Sequence, residues 1–207
     1  MPLPGSGSLN LRDWTAPEGR LPEHSGATPM DARGANWSGL NLGELDLRGA
    51  QLCRCDLRGT DLSRCRLDEA DLRLARYDSS TSVPEDFDLR SSGAVGPGAK
   101  LNGVYLNSTD LRGMDLRGSV LMGAYLSGAD LSGALLDGVS LAGSDLRSAT
   151  VRGAMCRGTR FGNSELDMAD LRGADLEGAA LDTIESIRGT DFSSCSGLET
   201  QLDALLS

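Results

Sequence analysis

Residues 121–150 read LMGAYLSGADLSGALLDGVSLAGSDLRSAT, and an aliphatic residue occupies every fifth position of this stretch, from Leu121 to Leu146. Two positions before each of these central residues stands a small or aliphatic residue, as Ala129 stands before Leu131. The same phase holds for nine units from Trp37 to Tyr77 and for seventeen units from Leu101 to Leu181. A period of five fits neither an α-helix nor a flat strand, so the sequence predicts a chain that turns a corner every five residues.

Four such sides close a square, so we expect the chain to return above itself after 20 residues, with successive coils about 4.8 Å apart. The central residues then stack in columns, such as Leu111, Leu131, Val151 and Leu171. Glycine often follows the central residue by two positions, as Gly133 does, and we expect it at corners where the turn needs a positive φ.

Two units, Ala129-Asp130-Leu131-Ser132-Gly133 and Ala169-Asp170-Leu171-Arg172-Gly173, fit the pattern A-(D/N)-L-x-x. With them the sequence resembles the pentapeptide-repeat family over roughly residues 30 to 183. The resemblance implies an all-β fold, a right-handed quadrilateral parallel β-helix. The segment Val83-Pro84-Glu85-Asp86-Phe87 also resembles an insertion of cyanobacterial members of that family, where glycine usually stands at the position of Asp86.

The chain divides into five segments. Residues 1–30 are rich in Pro, Gly and Ser and predict a flexible arm, in which Leu9, Leu11 and Trp14 are available to cover the first coil. Residues 31–77 and 99–183 predict two sets of coils, separated by an inserted loop at 78–98. For residues 184–207 we predict a cap that contains a short amphipathic α-helix, because Ser196 to Glu199 forms a capping box before a leucine-rich face.

Composition excludes several classes of function. The chain has 207 residues, a formal net charge of -10 and a single His, His24, which leaves hydrolases of the Ser-His-Asp and Cys-His types without a base. The acidic balance argues against direct nucleic-acid binding. We therefore predict no enzyme activity and no cofactor.

The five cysteines have no zinc-ligand spacing and predict reduced thiols in a cytoplasmic protein. Cys55, Cys65 and Cys156 fall on inward positions, whereas Cys53 falls on an outward one. With neither a signal peptide nor an apolar run of 18 residues, we expect no membrane insertion.

A candidate protein interface comes from apolar residues at outward positions. Tyr105 and Tyr125 are 20 residues apart and are expected to stack on one side, with three further apolar residues around the adjoining corners: Val120, Met122 and Leu135. Such a cluster favours a protein contact. The alternative is a set of tolerated surface side chains beneath a loop or the arm.

Two functions remain open. The first is a non-enzymatic interaction scaffold that binds an unidentified protein partner through its sides, its loop or its tails. The second follows from the resemblance, because some pentapeptide-repeat proteins mimic DNA and inhibit or protect a type II topoisomerase (gyrase). The charge distribution favours the scaffold, because a DNA mimic should carry its negative charge along the coils. Residues 37–77 carry no net charge, and the excess of negative charge lies in 78–98 (-3) and 182–207 (-4). Some gyrase-protecting relatives dimerise through their C-terminal ends, so the resemblance also leaves open a homodimer through the predicted helix.

Overall fold

The computed structural model describes residues 29–198, and the chain divides into two compact units, Met1–Val95 and Gly96–Ser207. Most of the predicted arm, with Leu9, Leu11 and Trp14, lies outside the described residues. Each unit is built from isolated parallel β-bridges between successive coils rather than from long strands.

Four sides are visible in the bridges of the second unit. Bridges join residues 20 apart on four successive sides, and the fifth returns to the first side: Lys100↔Val120, Tyr105↔Tyr125, Asp110↔Asp130, Asp115↔Leu135 and Val120↔Ser140. Two main-chain hydrogen bonds hold each bridge, as when Leu131 donates to Thr150 at 2.7 Å and Thr150 donates to Ala129 at 2.8 Å. The predicted quadrilateral parallel coil is therefore confirmed.

The core is a column of central residues inside each coil. All the central residues predicted from Trp37 to Tyr77 and from Leu101 to Leu181 are buried. The small positions beside them also take hydroxyl groups, because the carbonyls of the preceding coil are available as acceptors: Thr60 donates to Trp37 and Ser144 donates to Leu121, at 2.8 and 2.7 Å.

The corners have the predicted left-handed residue. Gly133 has φ 64°, and the turn that contains it is closed by a hydrogen bond from the Ala134 N–H to the Leu131 carbonyl at 3.0 Å. The corner conformation does not require glycine, since Ser148 adopts φ 57° at the same position of its unit.

The segment predicted as an inserted loop, 78–98, contributes in part to the coil. Ser82 bridges Asp61 and Val95 bridges Arg76, at separations of 21 and 19 residues. Between these two bridges lies a 3₁₀ helix, Leu89–Ser91, the only helix among residues 29–198, and Asp88 caps it by accepting from the Ser91 N–H.

Near the C-terminus the coil continues beyond residue 183. Glu165 bridges Ser186 at a separation of 21, and the ladder goes on through Asp170↔Asp191 and Asp175↔Ser196. One extra residue, Glu185, lies between the corner and this bridge and donates its N–H to Ser164 at 3.0 Å. It shifts the phase, which hides these units from a strict five-residue count. The predicted α-helix is not found up to Leu198, because Ser196, its expected N-cap, is a ladder residue; from residue 199 onward it lies outside the described part.

Candidate protein interface

The second unit presents four sides to its surroundings. We number them by the outward residues that form their bridges: side 1 has Lys100, Val120, Ser140, Arg160 and Ala180; side 2 has Tyr105, Tyr125, Asp145, Glu165 and Ser186; side 3 has Asp110, Asp130, Thr150, Asp170 and Asp191; side 4 has Asp115, Leu135, Met155, Asp175 and Ser196. Along the chain the sides follow in this order, so side 2 lies opposite side 4.

Two tyrosines at the beginning of side 2 form a stacked pair. The ring centroids of Tyr105 and Tyr125 lie 4.5 Å apart and the ring planes differ by 2°. Tyr105 is 69% exposed and Tyr125 is 41% exposed, so the pair offers a broad aromatic surface. The spacing of adjacent coils positions the rings, because the bridge between these residues holds their Cα atoms one coil apart.

Met122 extends this aromatic surface at the corner between sides 1 and 2. It is 49% exposed and directly follows the buried Leu121. Val120, one residue before Leu121, lies half-buried on side 1 between Lys100 and Ser140. We call Tyr105, Met122 and Tyr125 the tyrosine patch, with Val120 at its edge.

Leu135 does not join the tyrosine patch. Its bridges to Asp115 and Met155 place it on side 4, ten residues and two corners from Tyr125. There it is half-buried beside Met155, which is also half-buried. Of the five residues predicted as one surface, four lie on sides 1 and 2 or at the corner between them, and Leu135 lies on side 4.

Ion pairs dominate the other corners. In a recurring arrangement, an arginine clamps the aspartate two residues before it through two hydrogen bonds: Arg117 contacts Asp115 at 3.0 and 2.8 Å, and Arg147 contacts Asp145 at 2.9 and 2.8 Å. The backbone N–H of the same arginine also donates to the aspartate, at 3.1 Å in both cases. These bonds favour the ionised carboxylates, and the pKa values of Asp115 and Asp145 are lowered, chiefly by the arginine side chains.

The corner of the tyrosine patch carries no charge. Its first positions in successive coils are Asn102, Met122, Ala142 and Gly162, whereas the corner after side 3 has Arg112, Ser132, Arg152 and Arg172. Removing water from the uncharged corner therefore requires no desolvation of an ion, which suits a surface that a protein partner covers.

None of the cysteine thiols in the described residues is activated as a nucleophile. Burial raises the pKa of Cys55 and of Cys156 to about 12 and that of Cys65 to about 11. Half-buried Cys53 also has a raised pKa, first through burial and then through Asp71. Cys55 and Cys65 are free, and no group of three or more His, Cys, Asp and Glu within 29–198 is placed to hold a metal ion.

Two features of the surface were missed by the sequence reading. Met168 is 68% exposed because it takes the left-handed corner position, with φ 61°, which is usually a glycine. Arginines also contact the carboxylates of the following coil, as Arg152 contacts Asp170 at 2.5 Å and Arg157 contacts Asp175 at 2.6 Å. The five-residue pattern contains both signals: Met168 stands two residues after a central residue, and Arg152 and Arg157 stand one residue after a central residue.

Within the described part of the chain, the structure contains no helix of the length and apolar character needed to cross a membrane.

Solved structures with the same kind of repeat resemble the chain. A trypsin-treated QnrB1, a plasmid-mediated fluoroquinolone resistance protein, is 19% identical over 85% of this chain and 86% of its own, with a TM-score of 0.41. HetL, a pentapeptide-repeat protein involved in heterocyst differentiation regulation in Nostoc sp. strain PCC 7120, is 24% identical over 79% and 87%, with a TM-score of 0.26. The pentapeptide-repeat protein alr5209 from Nostoc PCC 7120 is 33% identical over 33% and 60%, with a TM-score of 0.26.

No curated protein matches the sequence. The family model "Pentapeptide repeats (8 copies)" matches residues 99–138, 124–163 and 140–178. These residues are the coils of the second unit, with the five-residue corners and the four-sided ladder described above, and members of this family form right-handed β-helices. Residues 99–178 therefore match the pentapeptide-repeat family.

Proposed function

We propose that the chain is a non-enzymatic interaction scaffold that binds a partner protein through the tyrosine patch. The stacked, exposed Tyr105–Tyr125 pair beside Met122 carries this proposal. Aromatic and methionine side chains are enriched in protein interfaces, and stacked rings lose little side-chain entropy when a partner covers them.

The ion pairs explain why the sides differ in suitability. Each Asp–Arg clamp keeps its charges near solvent, and a partner that covered it would remove hydration from both groups. The tyrosine patch avoids this cost because its own corner is uncharged. A partner with an apolar contact centre and a polar rim fits this surface best.

The test compares three forms of the full chain in affinity capture from extracts of the native cell: the unchanged protein, Tyr105→Ala with Tyr125→Ala, and Leu135→Ala with Met155→Ala. The second pair of substitutions is the matched control, because it removes outward apolar groups from side 4. We expect the tyrosine variant to bind the captured partner on the order of thirtyfold more weakly, from the roughly 2 kcal/mol that an interface hot spot contributes.

Thermal unfolding of each variant accompanies the capture, so that loss of binding is separated from loss of fold. Retention of the partner by the tyrosine variant removes the proposal. Loss of the partner with the Leu135 and Met155 variant instead assigns the interface to side 4, where Leu135 lies.

A further inference from the structure

The β-ladder of the first unit is open at two successive sides, because neither Arg66 nor Asp71 forms a bridge to a following coil. The side of Arg66 is the one beside a pocket. Toward the preceding coil the ladder is complete: Arg66 donates to the carbonyl of Leu45 at 3.1 Å, and Leu47 donates to the carbonyl of Arg66 at 2.9 Å. Toward the place of the next coil, the N–H groups of Leu67 and Glu69 and the carbonyl of Cys65 have no hydrogen-bond partner among the described residues. By contrast, all the central residues from Leu101 to Leu176 donate their N–H to the following coil.

A pocket of about 290 Å³ lies over these unpaired groups. It is lined by residues 65–69 and by Pro84, Asp86 and Phe87 from the segment between the bridges at Ser82 and Val95. The pocket therefore occupies the place where the next coil would have completed the ladder.

Two donors and one acceptor in this arrangement match the backbone of an extended peptide. A peptide residue beside Arg66 would donate its N–H to Cys65 and accept from Leu67 through its carbonyl. The residue two positions later would accept from Glu69, just as Asp68 in the closed coil below accepts from Gly49 at 2.8 Å. Adding a strand to an exposed sheet edge in this way is a general mode of peptide recognition.

The pocket walls specify the side chains of such a peptide. Its inward residues would lie over Cys65 and Leu67, which favours a small residue and then an aliphatic one. These two side chains are 5% and 3% exposed in the chain alone, so the segment with Pro84 and Phe87 would have to move aside for the peptide. Its outward residue between them would lie beside Arg66, which favours an acidic group, as Asp46 lies 3.7 Å from Arg66 in the coil below.

Carboxylates around the pocket select basic residues at the next positions. Asp68, Glu69 and Asp86 line the pocket, and none of them forms an ion pair with another described residue. Two successive lysines after the aliphatic residue would therefore lie over Asp68 and Glu69 and add positive charge there, to that of Arg48, which already interacts with Asp68.

We propose that the open ladder at Cys65–Glu69 binds an extended peptide with the order small, acidic, aliphatic, Lys, Lys by adding it as a strand. This site is in the first unit and uses no residue of the tyrosine patch, so the two proposals stand or fall separately.

The test is a titration of the full chain, labelled with nitrogen-15, with the peptide acetyl-Ala-Asp-Leu-Lys-Lys-amide. The backbone amide signals are monitored by NMR. Saturable downfield shifts of the Leu67 and Glu69 amides are expected, because each gains a carbonyl acceptor. The matched peptide with a methyl group on the Asp nitrogen cannot donate to Cys65 and is expected to leave these amides unshifted.

Two chain variants test the charges. Asp68→Asn with Glu69→Gln is expected to weaken binding about fivefold, the effect of losing two solvent-exposed ion pairs. Asp182→Asn with Glu185→Gln removes the same charge from the second unit and is expected to leave binding unchanged.

Either of two results overturns the proposal. One is equal shifts with the unmethylated and the methylated peptide, or none with either. The other is hydrogen exchange of the Leu67 amide, in the free protein, as slow as that of Leu62, which donates to Ser82 at 2.8 Å. Slow exchange would mean that the chain's own turn at 84–87 closes the ladder.

Discussion

Leu131→Ala tests the inward phase of the repeat, with Leu135→Ala as its matched control four residues away. Leu131 is 1% exposed, and its equivalents in the neighbouring coils, Leu111 and Val151, are buried as well. The substitution removes three carbons from a closed column, which costs about 2.4 kcal/mol in transfer free energy at about 0.8 kcal/mol per buried methylene. The cavity raises the expected loss to about 3–5 kcal/mol, because the ladder bonds hold the coils apart and limit collapse.

Leu135 is half-buried on side 4, so the same substitution there is expected to cost below about 1 kcal/mol. The measurement is the free energy of unfolding from urea titrations, with equal m-values required of all three proteins. Equal losses at the two leucines, or a loss at Leu131 under about 1 kcal/mol, would refute the assignment of inward and outward positions.

Four further outcomes are expected. At the left-handed corners, Gly133→Ala should destabilise the protein by about 1 kcal/mol although no atom lies within 4 Å of the added Cβ, whereas Ser148→Gly should be neutral or stabilising; urea titration checks both. Since Arg48 lowers the pKa of Asp46 from 3.8 to about 2, the clamp stabilises the folded chain above about pH 4, and this contribution should be lost as pH falls toward about 2. Urea midpoints measured across that range, with Arg48→Gln as the variant that should flatten the dependence, provide the test. Iodoacetamide at about pH 8 should modify half-exposed Cys53 and Cys195 before Cys55 and Cys156, as read by mass spectrometry. Finally, the purified chain should neither inhibit gyrase supercoiling nor relieve quinolone poisoning, and inhibition at concentrations near that of the enzyme would reinstate the DNA-mimic hypothesis.

The five-residue period was sufficient to predict which residues point inward, because each coil has room for one large side chain per side. It also predicted the stacked tyrosines, since 20 residues is the length of one coil. The same arithmetic separates Tyr125 from Leu135 by half a coil, and the structure places them on opposite sides.

Changes of phase could not be predicted from the period. An extra residue before a bridge leaves the main-chain ladder intact, as Glu185 before the bridge Glu165↔Ser186 shows, but it ends the apparent repeat in the sequence. Between Ser82 and Val95 the chain regains the ladder after a segment whose length is not a multiple of five. The open edge at Leu67 lies beside that segment, and no residue type in the sequence predicts it.

Which arginine pairs with a given aspartate also could not be predicted from the sequence. Spacing allows an aspartate to meet the arginine two residues later or the basic residue one coil away, and it places Asp46 within reach of both Arg48 and Arg66. The structure favours the local pair, at 2.6 Å against 3.7 Å, because the same turn also directs the Arg48 N–H to the carboxylate.

These clamps alter the meaning of the net charge of -10. A protein that imitates DNA needs rows of uncompensated carboxylates along its sides, since the phosphates it replaces are a dense and regular array of charge. In the second unit arginines lie within 4 Å of the aspartates of side 3, and Asp170 is contacted by both Arg152 and Arg172, at 2.5 and 2.9 Å. Such a side presents compensated carboxylates rather than a row of free negative charges. We therefore expect recognition to depend on surfaces without paired ions, which among the described residues include the tyrosine patch and the carboxylates beside the open ladder.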